Sequence, residues 1–281
     1  MRIRHIKGVE ELITAEPLVI QEPQEYKGRW RSAVFGNDAP LYLEIGMGMG
    51  TFIRTHSFNH PDINYIGLEL NTTVLYKAVT RYKAELEARC AHFGPVADKD
   101  SGAEYADTKA TNPEEDREAV SSLNDSDACV HAGIVSDVEI LRDLNEDAMR
   151  GNLRFIRSNA RFLEEYFEQG EIDKIYLNFS DPWPKEHSAG RRLTSPQFLK
   201  LYEQVLKSSG NIEFKTDNRG LFDYSVETIP ACGWNIDAIT YDLHNDLSMN
   251  EGNIMTEYEA KFSAKGNPIY KLIASRGETC L

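Results

Sequence analysis

Short apolar runs alternate along the chain with longer segments in which apolar positions recur every three or four residues. The short runs predict seven strands, and the longer segments predict helices between them. The predicted strands are residues 41–45, 64–69, 152–156, 172–178, 210–215, 234–241 and 268–274. The predicted helices are residues 50–58, a long helix capped by Asn71 or Thr72, and residues 160–168, 196–207 and 221–229. This alternation favours an α/β fold whose mostly parallel sheet carries helices on both faces.

Residues 94–151 do not follow this alternation of predicted strands and helices. The part from Asp98 to Asp127 is rich in Asp, Glu, Ser, Ala and Asn and poor in large apolar residues, which is typical of disordered segments. Apolar positions between residues 135 and 149 are compatible with one helix there. We therefore expect a single domain over residues 1–281, with an N-terminal arm at 1–40 and a flexible acidic insertion at 94–151.

The net charge of −14 is concentrated in this insertion, because residues 95–150 contain 15 acidic and 5 basic residues. The rest of the chain is close to neutral and leaves room for the local basic patch that a nucleic-acid partner requires. No apolar run is long enough for a membrane helix, and the basic start of the chain leads into no apolar segment. Neither membrane association nor secretion is expected.

Four cysteines lie far apart in the sequence, at Cys90, Cys129, Cys232 and Cys280. They form no C-x-x-C pair and have no histidine at ligand spacing, so neither a disulfide framework nor a zinc site is predicted. Scattered thiols favour a reducing cytoplasm.

The first candidate site is the sequence Leu43-Glu-Ile-Gly-Met-Gly-Met-Gly50, where a predicted strand meets a predicted helix. Glycines let the backbone turn sharply and approach a ligand closely. A dinucleotide-binding turn would have the spacing G-x-G-x-x-G, and Glu44 would repel its pyrophosphate. The carboxylate of Glu44 could instead hold an ammonium group, as in S-adenosyl-L-methionine. A tight turn that binds nothing is the alternative.

Glu69 closes the next predicted strand. In nucleoside-binding α/β folds, an acidic residue at this position accepts hydrogen bonds from the ribose hydroxyls. A solvated glutamate at a strand end is the alternative for Glu69 alone, and the nearby glycine turn favours the binding role.

A third candidate, Asn178-Phe-Ser-Asp-Pro-Trp-Pro-Lys185, follows a strand that should end at the same edge of the sheet. Trp183 lies between two prolines and offers a rigid surface for stacking a base. Asp181 stands where enzymes that methylate exocyclic amines use Asn, and its carboxylate suits the N1–H and N2–H₂ donors of guanine. A proline-rich surface loop is the alternative.

Three further stretches are candidates for substrate contacts. Residues 185–192 are basic and could contact phosphates. The stretch alone is equally compatible with an ordinary solvated loop. Asp217 is expected at the same sheet edge as Asp181. The segment from Asn253 to Phe262 could be a substrate loop, or could use Tyr258 and Phe262 in the core.

Taken together, these residues are similar to the bacterial tRNA (guanine-N7-)-methyltransferases. The resemblance covers residues 1–92 and 152–274, and its most specific motifs are residues 176–185, 191–195, 215–218 and 256–259. It implies a Rossmann-like class I methyltransferase fold with seven strands. It also implies S-adenosyl-L-methionine as cofactor and a guanosine in the variable loop of tRNA as target, and it is compatible with a homodimer.

The resemblance also implies roles for individual residues. Asp181 would be the catalytic residue. The cofactor would be bound by Glu44, Gly46, Gly48, Glu69, Asn159 and Asp181. The substrate would be bound by Lys185, Asp217, Thr256, Glu257, Tyr258 and Glu259. The chain departs from the family at Met49, where Lys is common, at Arg161, where Asp is common, and at residues 186–190, which are less basic.

Other function classes stay open at this point. The same fold could methylate another nucleic-acid base or a small molecule. A non-catalytic tRNA-binding scaffold would not need the combination of Glu44, the glycine turn and Glu69. An NAD-dependent oxidoreductase is disfavoured by the glycine spacing and by Glu44.

Overall fold

An eight-stranded sheet forms the centre of the protein, whose computed structural model describes residues 6–93 and 151–277. The acidic stretch at 94–150 and the predicted helix at 135–149 lie outside the described residues. The strands are β1 (Val19–Ile20), β2 (Leu41–Ile45), β3 (Asn64–Glu69), β4 (Leu153–Arg157), β5 (Ile172–Asn178), β6 (Leu206–Thr216), β7 (Trp234–Thr240) and β8 (Tyr270–Arg276).

The strands lie in the order β1-β4-β3-β2-β5-β6-β8-β7. All neighbours from β1 to β6 are parallel, whereas β8 runs antiparallel to β6 and β7. The pairing of β7 with β8 shifts register between Ile236 and Ala238. The predicted α/β class with a mostly parallel sheet is therefore confirmed.

The predicted count of seven strands is wrong, because the N-terminal arm contributes β1 at the edge of the sheet. Only two residues form this strand, and their register partners are Phe155 and Ile156 of β4. The backbone N–H of Phe155 donates to the carbonyl of Leu18 at 2.9 Å. A two-residue strand is too short to show the alternation by which strands are found in a sequence.

Eight α-helices are described: α1 (Val9–Thr14), α2 (Thr51–Asn59), α3 (Thr72–Phe93), α4 (Leu163–Tyr166), α5 (Pro196–Val205), α6 (Arg219–Ala231), α7 (Leu247–Asn250) and α8 (Glu257–Ser263). The side chain of Asn71 caps α3 by accepting from the N–H of Val74 at 3.1 Å. The predicted helix at 160–168 is shorter in the structure, because Phe167 already has an extended backbone.

Apolar residues are buried on both faces of the sheet. On β3, Ile66 and Leu68 belong to one core cluster and Tyr65 belongs to the other. Successive side chains of a strand point to opposite faces, so the two clusters lie on opposite sides of the sheet. Helix α3 packs in the cluster of Tyr65, whereas α5 and α6 pack in the other. Among the helices that the structure describes, none has the length and apolar character to span a membrane.

The N-terminal arm is packed against the domain. Trp30 is fully buried, and its indole N–H donates to the carbonyl of Tyr166 at 2.8 Å. The carboxylate of Glu171 accepts from the backbone N–H groups of Gly28 and Trp30, at 2.9 and 3.1 Å. These contacts fix the path of the chain into β2, which carries the glycine turn.

Candidate functional site

Strand β2 lies at the point where the strand order of the sheet reverses. Strands β3 and β4 are added on one side of β2, and β5 and β6 are added on the other. In open α/β sheets, a crevice forms at such a point beyond the carboxyl ends of the strands. Glu44, Glu69 and Asn178 lie near the ends of β2, β3 and β5, respectively. The fold therefore brings three predicted segments to one edge of the sheet.

The turn after β2 depends on glycine. Gly46, Gly48 and Gly50 have φ angles of 72°, 58° and 71°, in the left-handed region that favours glycine. A Cβ atom added at Gly46 or Gly48 would have no protein atom within 4 Å. The backbone at these two positions therefore faces open space, in which a ligand could approach it.

A cleft of about 620 Å³ lies over the ends of β2 and β3. Four of the predicted cofactor residues line it, namely Gly46, Glu69, Asn159 and Asp181. Its remaining lining residues are Ile45, Leu68, Leu70, Ser158, Ala160, Arg161, Phe179, Ser180, Trp183, Arg191, Leu193 and Phe198. We call it the large cleft.

Backbone groups hold the carboxylate of Glu69 at the large cleft. Its two oxygens accept from the N–H of Gly48 at 3.0 Å and from the N–H of Asn71 at 2.8 Å. One bond ties Glu69 to the glycine turn, and the other ties it to the start of α3. Two residues after β4, the side-chain oxygen of Asn159 accepts from the N–H of Arg161 at 3.0 Å. Both side chains are therefore held in position by local backbone.

A second cleft, of about 210 Å³, lies on the other side of the glycine turn. It shares Gly46 and Phe179 with the large cleft. Its other lining residues are Glu44, Met47, Gly48, Met49, Gly50, Thr51, Phe52, Asn178, Thr256, Glu257 and Tyr258. The structure thus separates Glu44 from Glu69, because the two carboxylates line different clefts.

The side chain of Glu44 is buried. Its Oε1 accepts from the amide of Asn178 at 2.9 Å, and the backbone N–H of Ile53 in α2 also stabilises the carboxylate. The side-chain oxygen of Asn178 is buried without a partner among the described residues. Burial raises the pKa of Glu44 to about 8, although the bond from Asn178 and the charge of Lys215 oppose the shift.

The segment from Phe179 to Trp183 has a strained backbone. Phe179 and Trp183 have φ angles of 51° and 40°, and in the described parts of the chain no other non-glycine residue has a positive φ. Such strain is common at functional sites and persists only when the surroundings hold it. Arg192 supplies part of that support, because its guanidinium donates to the carbonyls of Pro182 and Trp183, each at 3.1 Å.

In the basic stretch at 185–192, two arginines lie over aromatic rings. The guanidinium of Arg191 lies 4.8 Å from the centre of the Trp183 ring, and Arg192 lies 4.2 Å from that of Tyr224. Both arginines therefore support the turn that carries Asp181. This role could not be predicted from the sequence, because the partners of a basic side chain depend on tertiary contacts. Lys185 is exposed and lies outside the lining of both clefts.

Of the four predicted substrate-binding residues from Thr256 to Glu259, three line the second cleft and one is buried. Thr256, Glu257 and Tyr258 line the second cleft. Glu257 pairs with Arg81 of α3, and the hydroxyl of Tyr258 lies 3.4 Å from a carboxylate oxygen of Asp217. Glu259 is fully buried and is not among the lining residues of either cleft.

Glu259 belongs to a buried polar cluster. Its carboxylate accepts from Lys215 at 2.8 Å and from the amide of Asn253 at 2.9 Å, and it lies 3.0 Å from the ring nitrogen of His244. Lys215 also donates to the side chain of Asn253 at 2.9 Å and to the carbonyl of Ile254 at 3.1 Å. The cluster therefore anchors the loop before α8 to β6. The sequence signal is a lysine inside the apolar strand Ile212-Glu-Phe-Lys-Thr216, which suggests a buried partner.

Comparison with known proteins gives a consistent result. The family model described as "Putative methyltransferase" matches residues 38–93 and 134–272. The tRNA (guanine-N(7)-)-methyltransferase of Lachnoclostridium phytofermentans is 37% identical over 276 residues, which cover 98% of this chain and 99% of that protein. The proteins of the same name from Bacillus licheniformis and Listeria monocytogenes are each 38% identical over 275 residues, covering 98% of both chains.

Proposed function

The chain belongs to the family of tRNA (guanine-N(7)-)-methyltransferases, and from that premise we propose that it transfers the methyl group of S-adenosyl-L-methionine to N7 of a guanosine in the variable loop of tRNA. One structural observation supports the proposal independently of the similarity to this family. Glu69, Asn159 and Asp181 line one cleft, which is bordered by a glycine turn whose backbone is open to a ligand.

The residues of the two clefts fit the proposed cofactor. The carboxylate of Glu69 is held where it can accept hydrogen bonds from ribose hydroxyls, and Gly46 and Gly48 leave space beside it. Glu44 offers a buried carboxylate at the lining of the second cleft, which suits a cationic group. When bound, the cofactor supplies an electrophilic methyl group on a sulfonium sulfur.

Asp181 is proposed as the catalytic residue. It is exposed on the lining of the large cleft, next to the strained turn that Arg192 holds. Guanine N7 has an available lone pair, so no proton must leave before attack. The carboxylate of Asp181 can orient the base through its N–H donors and stabilise the positive charge that develops on the purine. An obligatory general base is not required.

The tRNA would approach over Trp183 and the second cleft. Trp183 lines the large cleft and offers its ring to an unstacked base. Thr256, Glu257 and Tyr258 are proposed to contact the substrate from the rim of the second cleft. Lys185 and Asp217 remain proposed substrate contacts, and the homodimer and the cytoplasmic location stay predictions of the sequence.

One experiment tests the proposed function directly. The protein is incubated with labelled S-adenosyl-L-methionine and unmodified tRNA, and the labelled nucleotide is mapped. We expect 7-methylguanosine in the variable loop. Label at another base would reject the assigned target and leave methyl transfer intact, whereas no label in any nucleic acid would reject the proposed function.

A further inference from the structure

We propose that Lys261 in α8 and Lys265, two residues after this helix, bind the phosphate backbone of the RNA strand that leads to the target nucleotide. We call these lysines, together with the rings of Tyr258 and Phe262, the α8 surface. The inference rests on the proposed function, because it takes an RNA as the partner. It extends the proposed substrate contacts to two lysines that the family resemblance does not assign.

Both lysines carry a positive charge that no neighbouring acid neutralises. They are exposed, and within the described residues neither ammonium group forms a hydrogen bond or an ion pair. Other lysines of the described chain do have acidic partners, as Lys83 has Glu16 and Lys207 has Asp173. In a chain with 45 acidic and 31 basic residues, two such lysines together form a local site for an anion.

The ring of Phe262 brings the two charges together. Nζ of Lys265 lies 5.0 Å from the centre of this ring, and Nζ of Lys261 lies 5.8 Å from it. These distances are within the range of cation–π contacts, which orient the side chains without neutralising their charge. Phe262 is half-buried and stacks on Tyr258, with ring centres 4.1 Å apart. The two ammonium groups are therefore held at one place on the surface.

A row of rings connects this place with the proposed active site. Phe179 lines both clefts, and its ring centre lies 5.1 Å from that of Tyr258. Phe262 follows Tyr258 by one turn of α8, about 6 Å farther along the helix axis. An RNA strand whose target base enters the large cleft can therefore continue along this row, with its backbone beside the lysines.

The acidic residues near this row do not cancel the charge of the lysines. Glu257 pairs with Arg81, and Glu259 is buried against Lys215. The carboxylate of Asp217 lies 3.4 Å from the hydroxyl of Tyr258. These three acids each have a partner of their own, so the lysines keep their charge available for an anion.

The α8 surface has the two kinds of group that contact single-stranded nucleic acids, namely cations and aromatic rings. Cations that contact phosphates fix the position of a nucleic acid and carry no sequence information directly. The α8 surface would therefore add affinity and orientation for tRNA, whereas recognition of the guanine base would stay with Asp181. Because salt weakens phosphate contacts in proportion to their number, the salt dependence of binding reports on them.

The test measures binding of unmodified tRNA at a series of salt concentrations. Lys261→Gln and Lys265→Gln are combined in one variant, which removes both charges and keeps polar side chains. Each phosphate contact of a single strand contributes about 0.7 to the slope of log K against log salt, so the slope should fall by about 1.4 in magnitude. At about 0.1 M salt, the affinity for tRNA should be about 10- to 30-fold weaker. The affinity for S-adenosylhomocysteine should not change.

Lys27→Gln combined with Lys200→Gln is the matched control. Both of these lysines are exposed and lie outside the lining of the two clefts, in the N-terminal arm and on α5. The control loses the same two charges, but its salt slope should match that of the wild type. An equal fall in slope in both double variants would show a general effect of net charge and overturn the inference. An unchanged slope in the variant of Lys261 and Lys265 would overturn it as well, even with a lower affinity and a lower unfolding midpoint.

Lysine footprinting of the wild-type protein covers the case in which the variant does not fold. An acetylating reagent is applied with and without tRNA, and each lysine is followed by mass spectrometry. We expect tRNA to protect Lys261 and Lys265 but not Lys200. Equal modification with and without tRNA would contradict the inference. Protection that rises with protein concentration in the absence of tRNA would also contradict it, because the surface would then bind a second copy of the chain.

Failure of the proposed function can be told apart from failure of this inference. A wild-type protein that neither binds nor methylates tRNA would contradict the proposed function. Methyl transfer to tRNA by the wild type, with the same salt slope in the variant of Lys261 and Lys265, would reject the α8 surface alone.

Discussion

Lys215 and Glu259 form an ion pair whose charged atoms lie 2.8 Å apart, and both side chains are fully buried. The pair joins the end of β6 to the first turn of α8. Residues 256–258, at the start of this helix, line the second cleft. The pair therefore holds residues 256–258 in position at the second cleft, although neither Lys215 nor Glu259 lines that cleft.

Removing the charge of one member of this pair should destabilise the protein strongly. Glu259→Gln leaves the charge of Lys215 buried with only neutral partners, and such changes cost about 3–5 kcal/mol. The free energy of unfolding, measured by urea denaturation, should fall by that amount. Asp223→Asn breaks the exposed pair with Arg219 and should leave the unfolding midpoint nearly unchanged. A similar midpoint for both variants would contradict the structural role.

The stability of the ligand-free protein should depend on pH through Glu44. The pKa of this group is about 8 when folded and about 4.5 in an unfolded chain. Between these values the folded state keeps a proton that the unfolded state has lost, so stability falls as pH rises. The loss is a few kcal/mol and is complete above pH 8. Glu44→Gln should remove this slope in denaturation experiments from pH 5 to 9, and parallel curves for both proteins would refute the assignment.

Gly46→Ala should separate backbone strain from loss of ligand. Gly46 and Gly36 have φ angles of 72° and 68°, and a Cβ atom at either would meet no protein atom within 4 Å. Alanine at either position should therefore cost about 1–2 kcal/mol of stability. Only Gly46→Ala places a methyl group in the large cleft, so only it should also lose affinity for S-adenosylhomocysteine. Equal binding by both variants would show that the cofactor does not approach Gly46.

Two variants of Asp181 test its catalytic role. Asp181→Asn keeps the size of the side chain but removes its charge, and Asp181→Ala removes both. If the carboxylate stabilises the charge on the purine, both should slow single-turnover methyl transfer, by about 100-fold or more. Asp181→Ala should be at least as slow as Asp181→Asn. Near-normal rates in both variants would exclude Asp181 as the catalytic group.

The ring of Trp183 is expected to contribute to tRNA recognition. Stacking on an aromatic side chain is worth about 1–3 kcal/mol per base, so Trp183→Ala should lower kcat/KM for tRNA by about 10- to 100-fold. Trp183→Phe should retain most of the activity, and Arg191→Ala should lose less than Trp183→Ala. Arg89→Ala removes a comparable contact with Phe58 away from both clefts and serves as the control. Full activity of Trp183→Ala would exclude the stacking role.

The sheet and its functional edge could be predicted from the sequence because both depend on local patterns. Apolar runs gave the bounds of β2, β3 and β5 within one residue, and the glycines marked the turn that follows β2. Parallel strands bring their carboxyl ends together, so Glu69 and Asp181 could be expected in one cleft. Asn159 was assigned through the family resemblance, and it lines the same cleft.

The details that depend on side-chain direction could not be predicted. Glu44 and Glu69 lie at the ends of adjacent strands, yet they line different clefts because the glycine turn lies between them. Glu259 follows three lining residues, but the helical turn at α8 directs it to Lys215. The guanidinium groups of Arg191 and Arg192 lie over the rings of Trp183 and Tyr224. These outcomes depend on tertiary contacts that the local sequence pattern does not show.

The two outer strands of the sheet also bear on how copies of the chain meet one another. An exposed strand edge is a template for pairing with another chain, which leads to aggregation. Here β1 offers only two residues before Pro23, and β7 loses its regular register between Ile236 and Ala238. Neither edge presents a long, flat row of backbone groups. The shortness of β1 and the register shift of β7 therefore disfavour edge-to-edge association of the folded chain.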